Sequence, residues 1–454
     1  MNAYESYITT ELPWLFKMPY HWDIMRAKYM FQKESRAVFE TDEVITCFRD
    51  GVVTLRKNRR TTGFTEAIQE SGYQGIRKGD LVIHVMDAFA GAVGVSDSNG
   101  KGTPVYSVCT AKGDYNNYYY AHIVREMARS GYIQSLYRGI RQRSSDFRFE
   151  IFAAQFLPVP PREEQDQIVR YLDWQVSKTN KLISARKKQI ALLKEQKQAV
   201  INEVVTKGLD PAVPMKDSGV EWIGEIPAHW SIVKLRSILK PVSVKNRPEL
   251  PLLSVVRELG VIVRDIEDVE SNHNFIPDDL SNYKVVQEGQ FAMNKMKAWQ
   301  GSYGISPYTG IVSPAYFVFD VNFPNKNYFH YAIRSKVYVN FFAKSSDGIR
   351  VGQWDLNMQK MKEIPFILPP ASEQDEIVAY IPKANAKIEK AIDAISQEIA
   401  LLKEYRTRLI SDVVTGQIDV RDIEVPEFEY IADDVDDVSD DENTDLEEIM
   451  EEEE

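Results

Sequence analysis

Basic and amide side chains are concentrated in four short segments that lie between strand-like and helix-like runs of the chain. Arginine and lysine bind DNA phosphates and guanine edges, while asparagine and glutamine match the hydrogen-bonding pattern of adenine. These segments therefore indicate a surface that could anchor and read duplex DNA, although a solvated basic loop has the same composition. The candidate DNA-binding residues are Arg56, Lys57, Arg59, Arg60, Arg138, Arg141, Arg143, Asn294, Lys295, Lys297, Trp299, Gln300, Lys344 and Arg350.

Motifs that would let such a surface act chemically on DNA are missing from the sequence. The Gly-Lys pair at 100 and 101 is followed by glycine and residue 95 is valine, so no GxxxxGK[ST] phosphate loop is formed. Neither Pro-Pro pair continues into the [ND]PP[YF] motif of amino-methyltransferases, and the nuclease-like spacing of Glu195 and Lys197 fits an ordinary helical charge pattern. Cys47 and Cys109 have no CxxC or Cys/His spacing, so they are predicted to be core residues. We therefore predict no catalytic residue and no metal site.

The candidate segments belong to an internal duplication, which determines how they are positioned. Residues 160 to 210 align with residues 369 to 419 without a gap, and 23 of the 51 pairs are identical, including the hexapeptide IALLKE. An upstream PxHW motif recurs in the same way, with His21 and His229 at matching positions. Both histidines are predicted to be packing residues beside tryptophan anchors. The chain therefore consists of two copies of one unit of about 210 residues, followed by a tail.

Each duplicated segment carries apolar residues at alternating steps of four and three, which is the 3.5-residue repeat of a coiled-coil seam. About 40 helical residues would make a rod of roughly 60 Å, with Pro382 either kinking the second helix or beginning it. Lys197 and Arg406 occupy the same repeat position, so parallel pairing would bring two cations together, and we predict antiparallel pairing. The predicted seam residues are Ile183, Ile190, Leu193, Val200, Ile392, Ile395, Ile399, Leu402 and Leu409.

The remaining parts of each copy mix short strand-like runs with helix-like segments. The sequence therefore predicts an α+β fold: two mixed α/β modules joined by two long helices in an antiparallel coiled coil, with a pseudo-two-fold internal repeat. The predicted boundaries are module one at 1–157, spacer helix one at 158–208, module two at 209–366, spacer helix two at 367–417, and an acidic, disordered tail at 418–454.

Net charge is distributed unevenly along the chain. The whole sequence carries a net charge of -12, but 18 acidic residues and no basic residue follow position 421. The remaining 421 residues hold 55 basic and 49 acidic residues, so the predicted folded part is mildly basic. This excess is compatible with a nucleic-acid partner. The tail is interpreted as a solvated segment, with DNA mimicry as the alternative.

Membrane association and export are not indicated. No apolar run approaches the roughly 18 residues of a membrane span, and the first residues lack the basic and apolar regions of a signal peptide. We expect a cytoplasmic protein with no membrane contact.

With these features, the chain resembles the specificity subunit of type I restriction-modification enzymes over residues 12 to about 421. The resemblance is carried by PVPPREEQDQIVRYLD with LPPASEQDEIVAYI, by EWIGEIPAHWSIVKLRS, and by NKMKAWQGSYGISPYTGIVSPAYF. It implies that each module is a target recognition domain that reads one half of a bipartite, asymmetric site in double-stranded DNA. The second module has Lys295, Lys297 and Trp299 where the first has Val85, Asp87 and Phe89, so the two half-sites should differ.

The same resemblance implies partners and cofactors. The helices would space the two domains and dock two copies of an adenine methyltransferase (M) subunit that uses S-adenosylmethionine. Restriction/translocase (R) subunits that use ATP and Mg would join them. This chain itself would hold no cofactor and would be no enzyme. Two alternatives stay open: a self-contained DNA methyltransferase or nuclease, and a coiled-coil adaptor that binds only proteins.

Overall fold

The computed structural model describes residues 3–59, 72–136, 146–265, 276–277, 279–350 and 353–432, with backbone only for residues 349, 350 and 353. The chain divides into two compact units. The first unit is Met1–Arg186 with Gln397–Val435, and the second is built on Lys187–Ser396. Each unit therefore contains one mixed module and one half of each long helix. The boundaries predicted above for the two modules and the two spacer helices stay a prediction.

The first unit combines short antiparallel strands with a few helices. Its helices are α1 (Ala27–Met30), α2 (Asn117–Arg129), α3 (Tyr132–Ser135), α4 (Phe149–Ala154) and the start of α5 (Arg162–Lys207). Its strands are β1 (Tyr7–Leu12), β2 (Leu15–Pro19), β3 (Asp23–Arg26), β4 (Phe31–Lys33), β5 (Ile45–Cys47), β6 (Val53–Leu55), β7 (Gln74–Ile76), β8 (Leu81–His84), β9 (Val93–Val95), β10 (Gly100–Gly102), β11 (Tyr106–Ala111) and β12 (Phe156–Val159).

A four-stranded antiparallel sheet in the order β4-β11-β8-β9 forms the centre of this module. Val82 pairs with Val108 and Leu81 pairs with Cys109, which places β-branched and apolar side chains on both faces. Helix α2 begins where the Asn116 side chain accepts hydrogen bonds from the amides of the first turn. It buries Tyr119, Tyr120, Ile123, Val124 and Met127, so the core lies between this helix and the sheet. Cys47 and Cys109 are buried and unpaired.

The second unit repeats this arrangement. Its helices are α6 (Lys326–Ile333), α7 (Lys336–Lys344), α8 (Met358–Lys362) and the start of α9 (Ala371–Val414). Its strands are β13 (Met215–Asp217), β14 (Glu225–Pro227), β15 (Ser231–Lys234), β16 (Leu239–Val242), β17 (Leu253–Val256), β18 (Gly260–Val263), β19 (Lys284–Val286), β20 (Phe291–Asn294), β21 (Tyr303–Ile305), β22 (Gly310–Val312), β23 (Tyr316–Val321), β24 (Ser346–Arg350), β25 (Gln353–Leu356) and β26 (Pro365–Leu368). The central sheet has the order β16-β23-β20-β21, equivalent strand by strand to that of the first unit.

Helices α5 and α9 pack against each other in an antiparallel coiled coil. Within the first unit, Arg186 Nε lies 3.0 Å from Glu398, and Arg406 bonds to Asn180 at 2.5 Å. Within the second unit, Lys197 Nζ lies 2.7 Å from Glu389. The residue numbers of the paired positions rise along α5 as they fall along α9, which confirms the predicted antiparallel pairing. Pro382 lies inside α9, which begins at Ala371 and not at the proline.

Burial along both helices follows the 3.5-residue repeat. All nine predicted seam residues are buried or half-buried, and Ile183, Ile395 and Leu409 are the most enclosed. Leu192 and Leu401, which precede the seam residues of the two IALLKE copies, are 66% and 65% exposed. The pattern distinguishes neighbouring leucines because only one of each pair faces the other helix. In the described part of the chain, neither these helices nor any other is long and apolar enough to cross a membrane.

The first residues of the predicted tail are packed against α5. Residues 418–432 follow the helix in extended form: Gln167 donates to the Val420 carbonyl at 2.9 Å, and Asn180 donates to the Ile431 carbonyl at 2.9 Å. This corrects the expectation that the chain is disordered from 418 onward. The acidic composition of the tail predicted disorder, but residues 418–432 also carry an apolar side chain at every second or third position. Val420 is fully buried. Positions 433 to 454 lie outside the described residues.

A carboxyl group on α5 that has no ion-pair partner among the described residues makes the stability of the first unit depend on pH. Asp173 is half-buried, and burial raises its pKa to about 6. The folded state therefore holds its proton more tightly than the unfolded state, so stability is present below about pH 4 and is lost as pH rises to about 6. Asp173→Asn should raise the free energy of unfolding by about 1 to 3 kcal/mol at pH 8 and by much less at pH 4. Urea unfolding at both pH values measures this, with Glu195→Gln as the charge-matched exposed control; an equal gain at both pH values would contradict it.

Candidate nucleic-acid interface

Each module is fixed to its helix by a clasp, which we define as the helix-start glutamate with the aromatic side chains that bind it. In the first unit the Glu164 carboxylate accepts from the Tyr4 hydroxyl at 2.6 Å and from Trp22 Nε1 at 3.0 Å, and His21 Nε2 lies 2.8 Å away. Burial and the neighbouring Glu164 raise the pKa of Tyr4 far above its usual range, so the phenol stays a donor. The carboxylate also lies in the first turn of α5, where the helix dipole favours negative charge.

The second unit has the same clasp with fewer donors. Glu373, in the first turn of α9, accepts from Trp230 Nε1 at 2.9 Å, and His229 Nε2 lies 2.6 Å away. The duplicated PxHW and PPxxEQ motifs are therefore the two parts of one contact in each unit. His21 and His229 contact a carboxylate and do not merely fill space, which the prediction of packing residues did not include.

A second set of matched contacts fixes helices α2 and α6 to the long helices. The Asn116 and Asn325 amides, which cap α2 and α6, donate to Asp166 at 2.6 Å and to Asp375 at 2.5 Å. Each of these carboxylates belongs to a PPxxEQD motif. The two modules are thus held on their long helices by the same contacts.

In the second unit, the candidate residues 294–300 form one tight turn after β20. The buried Asn294 side chain accepts from the Met296 amide at 3.0 Å, and Gly301 completes the turn at φ 98°. A side chain with a Cβ would be strained at that φ, so glycine fits this position. The turn packs against α7 and β25. It therefore holds Lys295, Lys297, Trp299 and Gln300 on a rigid base.

Cationic and aromatic side chains meet on this turn. Lys295 Nζ lies 3.8 Å from Asp355, and Lys297 has no carboxylate partner among the residues described. Trp299 lies beside Trp354, with ring centroids 5.7 Å apart and planes 32° apart, and Trp354 remains 38% exposed. Lysines on a rigid turn suit contact with the phosphates of a nucleic acid.

The other two candidates of the second unit have different surroundings. Lys344 ends α7, and its Nζ lies 3.0 Å from the ring centroid of Trp222. Arg350 ends β24, whose backbone pairs with Gln353 of β25. The turn 294–300 contacts β25, so the backbone of Arg350 belongs to the hairpin that flanks the turn, whereas Lys344 is engaged by an aromatic residue outside it.

Of the three candidate cations of the first unit that the structure describes, two pair with carboxylates. Lys57 pairs with Glu43 at 2.5 Å, and Arg59 pairs with Asp50 at 2.6 Å. Arg56 donates to the Thr46 hydroxyl at 3.3 Å. The remaining candidates of this unit, Arg60, Arg138, Arg141 and Arg143, lie outside the described residues.

The turn after β8 has the same backbone as the turn after β20 but the opposite charge. Asp87 stands where the second unit has Lys297, and it pairs with Arg49 at 3.1 Å. Gly91 completes this turn at φ 91°. Two turns of one shape therefore carry an acid in one unit and a lysine in the other, as the sequence comparison predicted.

Two lysines near the turn were missed in the sequence. Lys245 and Lys284 pair across an isolated bridge next to Tyr316. Lys284 aligns with Gln74 of the first copy, but Lys245 and Lys284 are far apart in the sequence and do not form a local cluster of basic residues. In the described ranges no group of three or more His, Cys, Asp or Glu side chains could hold a metal ion.

No family model matches the chain, but individual relatives do. It is 26% identical over 294 residues to the MjaVIII type I restriction enzyme specificity subunit of Methanocaldococcus jannaschii, covering 60% of this chain and 64% of the relative. It is 24% identical over 323 residues to a protein assigned provisionally as the MjaX type I specificity subunit of the same organism, covering 68% and 70%. The match thus spans just under two thirds of the first relative's length. These findings confirm the resemblance predicted from the sequence.

A solved structure shares the fold. It was determined to explain complex assembly and conformational transition of the type I R-M system, and it matches with a TM-score of 0.57 at 14% identity. The match covers 89% of this chain and 100% of that chain. The α+β architecture with two packed long helices is therefore shared with a known protein.

Proposed function

We propose that this chain, a relative of the type I restriction enzyme specificity subunits, is the DNA-recognition subunit of such a complex. Each module reads one half of a bipartite, asymmetric site, and helices α5 and α9 set the spacing of the halves. The chain contributes no catalytic residue, and its place of action is the cytoplasm. This proposal extends to the chain what the names of its relatives state.

The observation that carries the proposal is the pair of equivalent turns with unlike side chains. The helix-start glutamate and histidine contacts recur in both units, and the two turns have the same backbone. At equivalent positions of these turns, however, the second unit has Lys297 and the first has Asp87. A duplicated scaffold whose contact residues have diverged is what reading two different half-sites requires. An adaptor that binds two copies of one protein would instead need matching contact residues.

Matching surfaces do occur on the helices, and we assign the partners to them. Leu192 and Leu401 are exposed at equivalent positions of the two IALLKE copies. Equivalent exposed leucines suit docking of two copies of the same methyltransferase (M) subunit, because identical partners need equivalent surfaces. S-adenosylmethionine would belong to that subunit, and ATP and Mg would belong to restriction/translocase (R) subunits that join the complex.

The proposal is tested by selecting duplexes from a random pool with the complex of this chain and its methyltransferase partner. We expect one motif with two unlike halves separated by a gap of fixed length. Methylation or cleavage by the chain alone would instead support an enzyme. Partner binding without any retained DNA would support an adaptor.

Substituting the turn lysine should affect one half-site only. Lys297→Ala should weaken binding of the half read by the second unit by about 1 to 3 kcal/mol and leave discrimination in the other half unchanged. Asp87→Ala is the matched substitution in the first unit, and it should change only the other half. Competition binding with duplexes mutated in one half at a time measures both effects; equal relaxation of both halves by either variant would contradict independent modules.

A further inference from the structure

Three lysines of the second unit converge beside the turn 294–300. Lys284 Nζ donates to the Tyr316 carbonyl at 2.7 Å, and Lys284 pairs with Lys245 across an isolated bridge. Tyr316 itself pairs with Asn294 at the end of β20, which is followed directly by Lys295. Strand pairing therefore brings together three cations that are far apart in the sequence. We call these residues the lysine cluster.

Carboxylates do little to neutralise the lysine cluster. Lys295 has Asp355 at 3.8 Å, beyond hydrogen-bond range, and no acidic partner of Lys245 or Lys284 occurs in the part of the chain that the structure describes. Burial lowers the pKa of Lys284, and the positive charges of Lys245 and Lys295 lower it further. Three like charges with a single carboxylate near them, that of Asp355, leave a local positive potential that an anion would relieve.

Comparison with the first unit shows that the fold does not require these charges. Gln74 takes the place of Lys284 and donates to the Tyr106 carbonyl at the same 2.7 Å. The backbone pairing of 244 with 285 in one unit matches that of 36 with 75 in the other, which places Ala37 opposite Lys245. Val85 stands opposite Lys295. All three counterparts are uncharged, so the positive charge of the lysine cluster serves something other than folding.

We propose that the lysine cluster is a binding site for a backbone phosphate of duplex DNA, present only in the second unit. A phosphate here would fix the register of the DNA beside Lys297 and Trp354, whose side chains could then reach base edges. The inference rests on the proposed function, because it names how that interface is anchored. It also makes the two half-sites unequal, since binding of the second half depends more strongly on salt.

The test uses Lys284→Gln in the complex with the methyltransferase partner. Glutamine already makes the equivalent hydrogen bond in the first unit, so the variant should fold with unchanged stability while losing the charge. We expect affinity for the target duplex to fall about 3- to 10-fold at 0.1 M salt, and the slope of log affinity against log salt to become shallower by about 1. Lys383→Gln, on the exposed face of α9, is the charge-matched control and should leave both quantities unchanged.

Neutral phosphate analogues locate the contact. Replacing backbone phosphates one at a time by methylphosphonate should reveal a position near the second half-site that weakens wild-type binding but not binding by Lys284→Gln. An unchanged salt slope in the variant, or equal losses in both proteins at every position, would overturn the assignment. Thermal stabilisation of the wild type by inorganic phosphate, lost in the variant with DNA binding intact, would also overturn it in favour of a free-anion site. If the wild-type complex binds no DNA at all, the result contradicts the proposed function itself. If it binds DNA but Lys284→Gln changes nothing, the result contradicts only the phosphate site.

Discussion

Inserting one heptad into each long helix is expected to lengthen the gap between the two half-sites by about three base pairs. Seven helical residues add about 10.5 Å, and each base pair of B-DNA rises about 3.4 Å. One heptad is inserted after Leu193 in α5 and one after Ile392 in α9. Each inserted heptad repeats the seam residues that precede it, so the apolar seam continues. Because Lys197 pairs with Glu389 in the antiparallel helices, these two sites lie opposite each other and the pairing is kept. Sequencing of methylated adenines in cells that carry the altered chain measures the gap.

The matched control is a heptad inserted into α5 alone. This insertion shifts the pairing of α5 with α9 on one side of the inserted residues. The ion pair between Arg186 and Glu398 and the ion pair between Lys197 and Glu389, which lie on opposite sides of the insertion, can then no longer form at the same time. We expect this chain to lose site-specific methylation, whereas the doubly extended chain keeps it with a longer gap. A doubly extended chain that methylates the original site would show that the helices do not set the spacing.

Removing the carboxylate of the first clasp should destabilise the first unit severely. Glu164→Ala leaves the Trp22 indole, which is 2% exposed, and the Tyr4 hydroxyl without their acceptor. We expect a loss of about 3 to 5 kcal/mol, since each orphaned buried donor costs about 1 to 3 kcal/mol and a charged acceptor strengthens these bonds. Hydrogen exchange followed by mass spectrometry should show the loss in peptides of the first unit, together with loss of recognition of its half-site.

Glu373→Ala is the internal control for this effect. Its clasp has one donor fewer and is more exposed, so we expect a loss of only about 1 to 2 kcal/mol, confined to the second unit. Glu164→Gln, which keeps an acceptor oxygen, should recover part of the stability lost in the alanine variant. Equal losses from both alanine variants, or an unchanged first unit in Glu164→Ala, would refute the clasp as the support of the modules.

Periodic features of the sequence were the ones that could be predicted. The coiled coil follows from a repeat that extends over most of both helices, and its antiparallel direction follows from Lys197 and Arg406 sharing one repeat position. The structure places both cations beside acceptors, Glu389 and Asn180. Burial of Leu193 but not Leu192 shows that the 3.5-residue period selects the correct residues.

Contacts between distant segments could not be predicted because no local rule joins them. The PxHW and PPxxEQ motifs were both visible, yet only the fold shows that Glu164 binds His21 and Trp22. Lys284 likewise becomes part of a site only through pairing with Lys245. The packing of residues 418–432 was obscured by their acidic composition, although their apolar side chains are what packs.

Adenine methylation across a genome tests the central claim most directly. Cells that express the methyltransferase partner with this chain should carry methylated adenines at one bipartite motif with unlike halves, and cells without the chain should lose that methylation entirely. Exchanging residues 294–300 for residues 84–90 should then change the second half of the motif and preserve the first. Methylation of the same motif without this chain, or an unchanged motif after the exchange, would contradict the account.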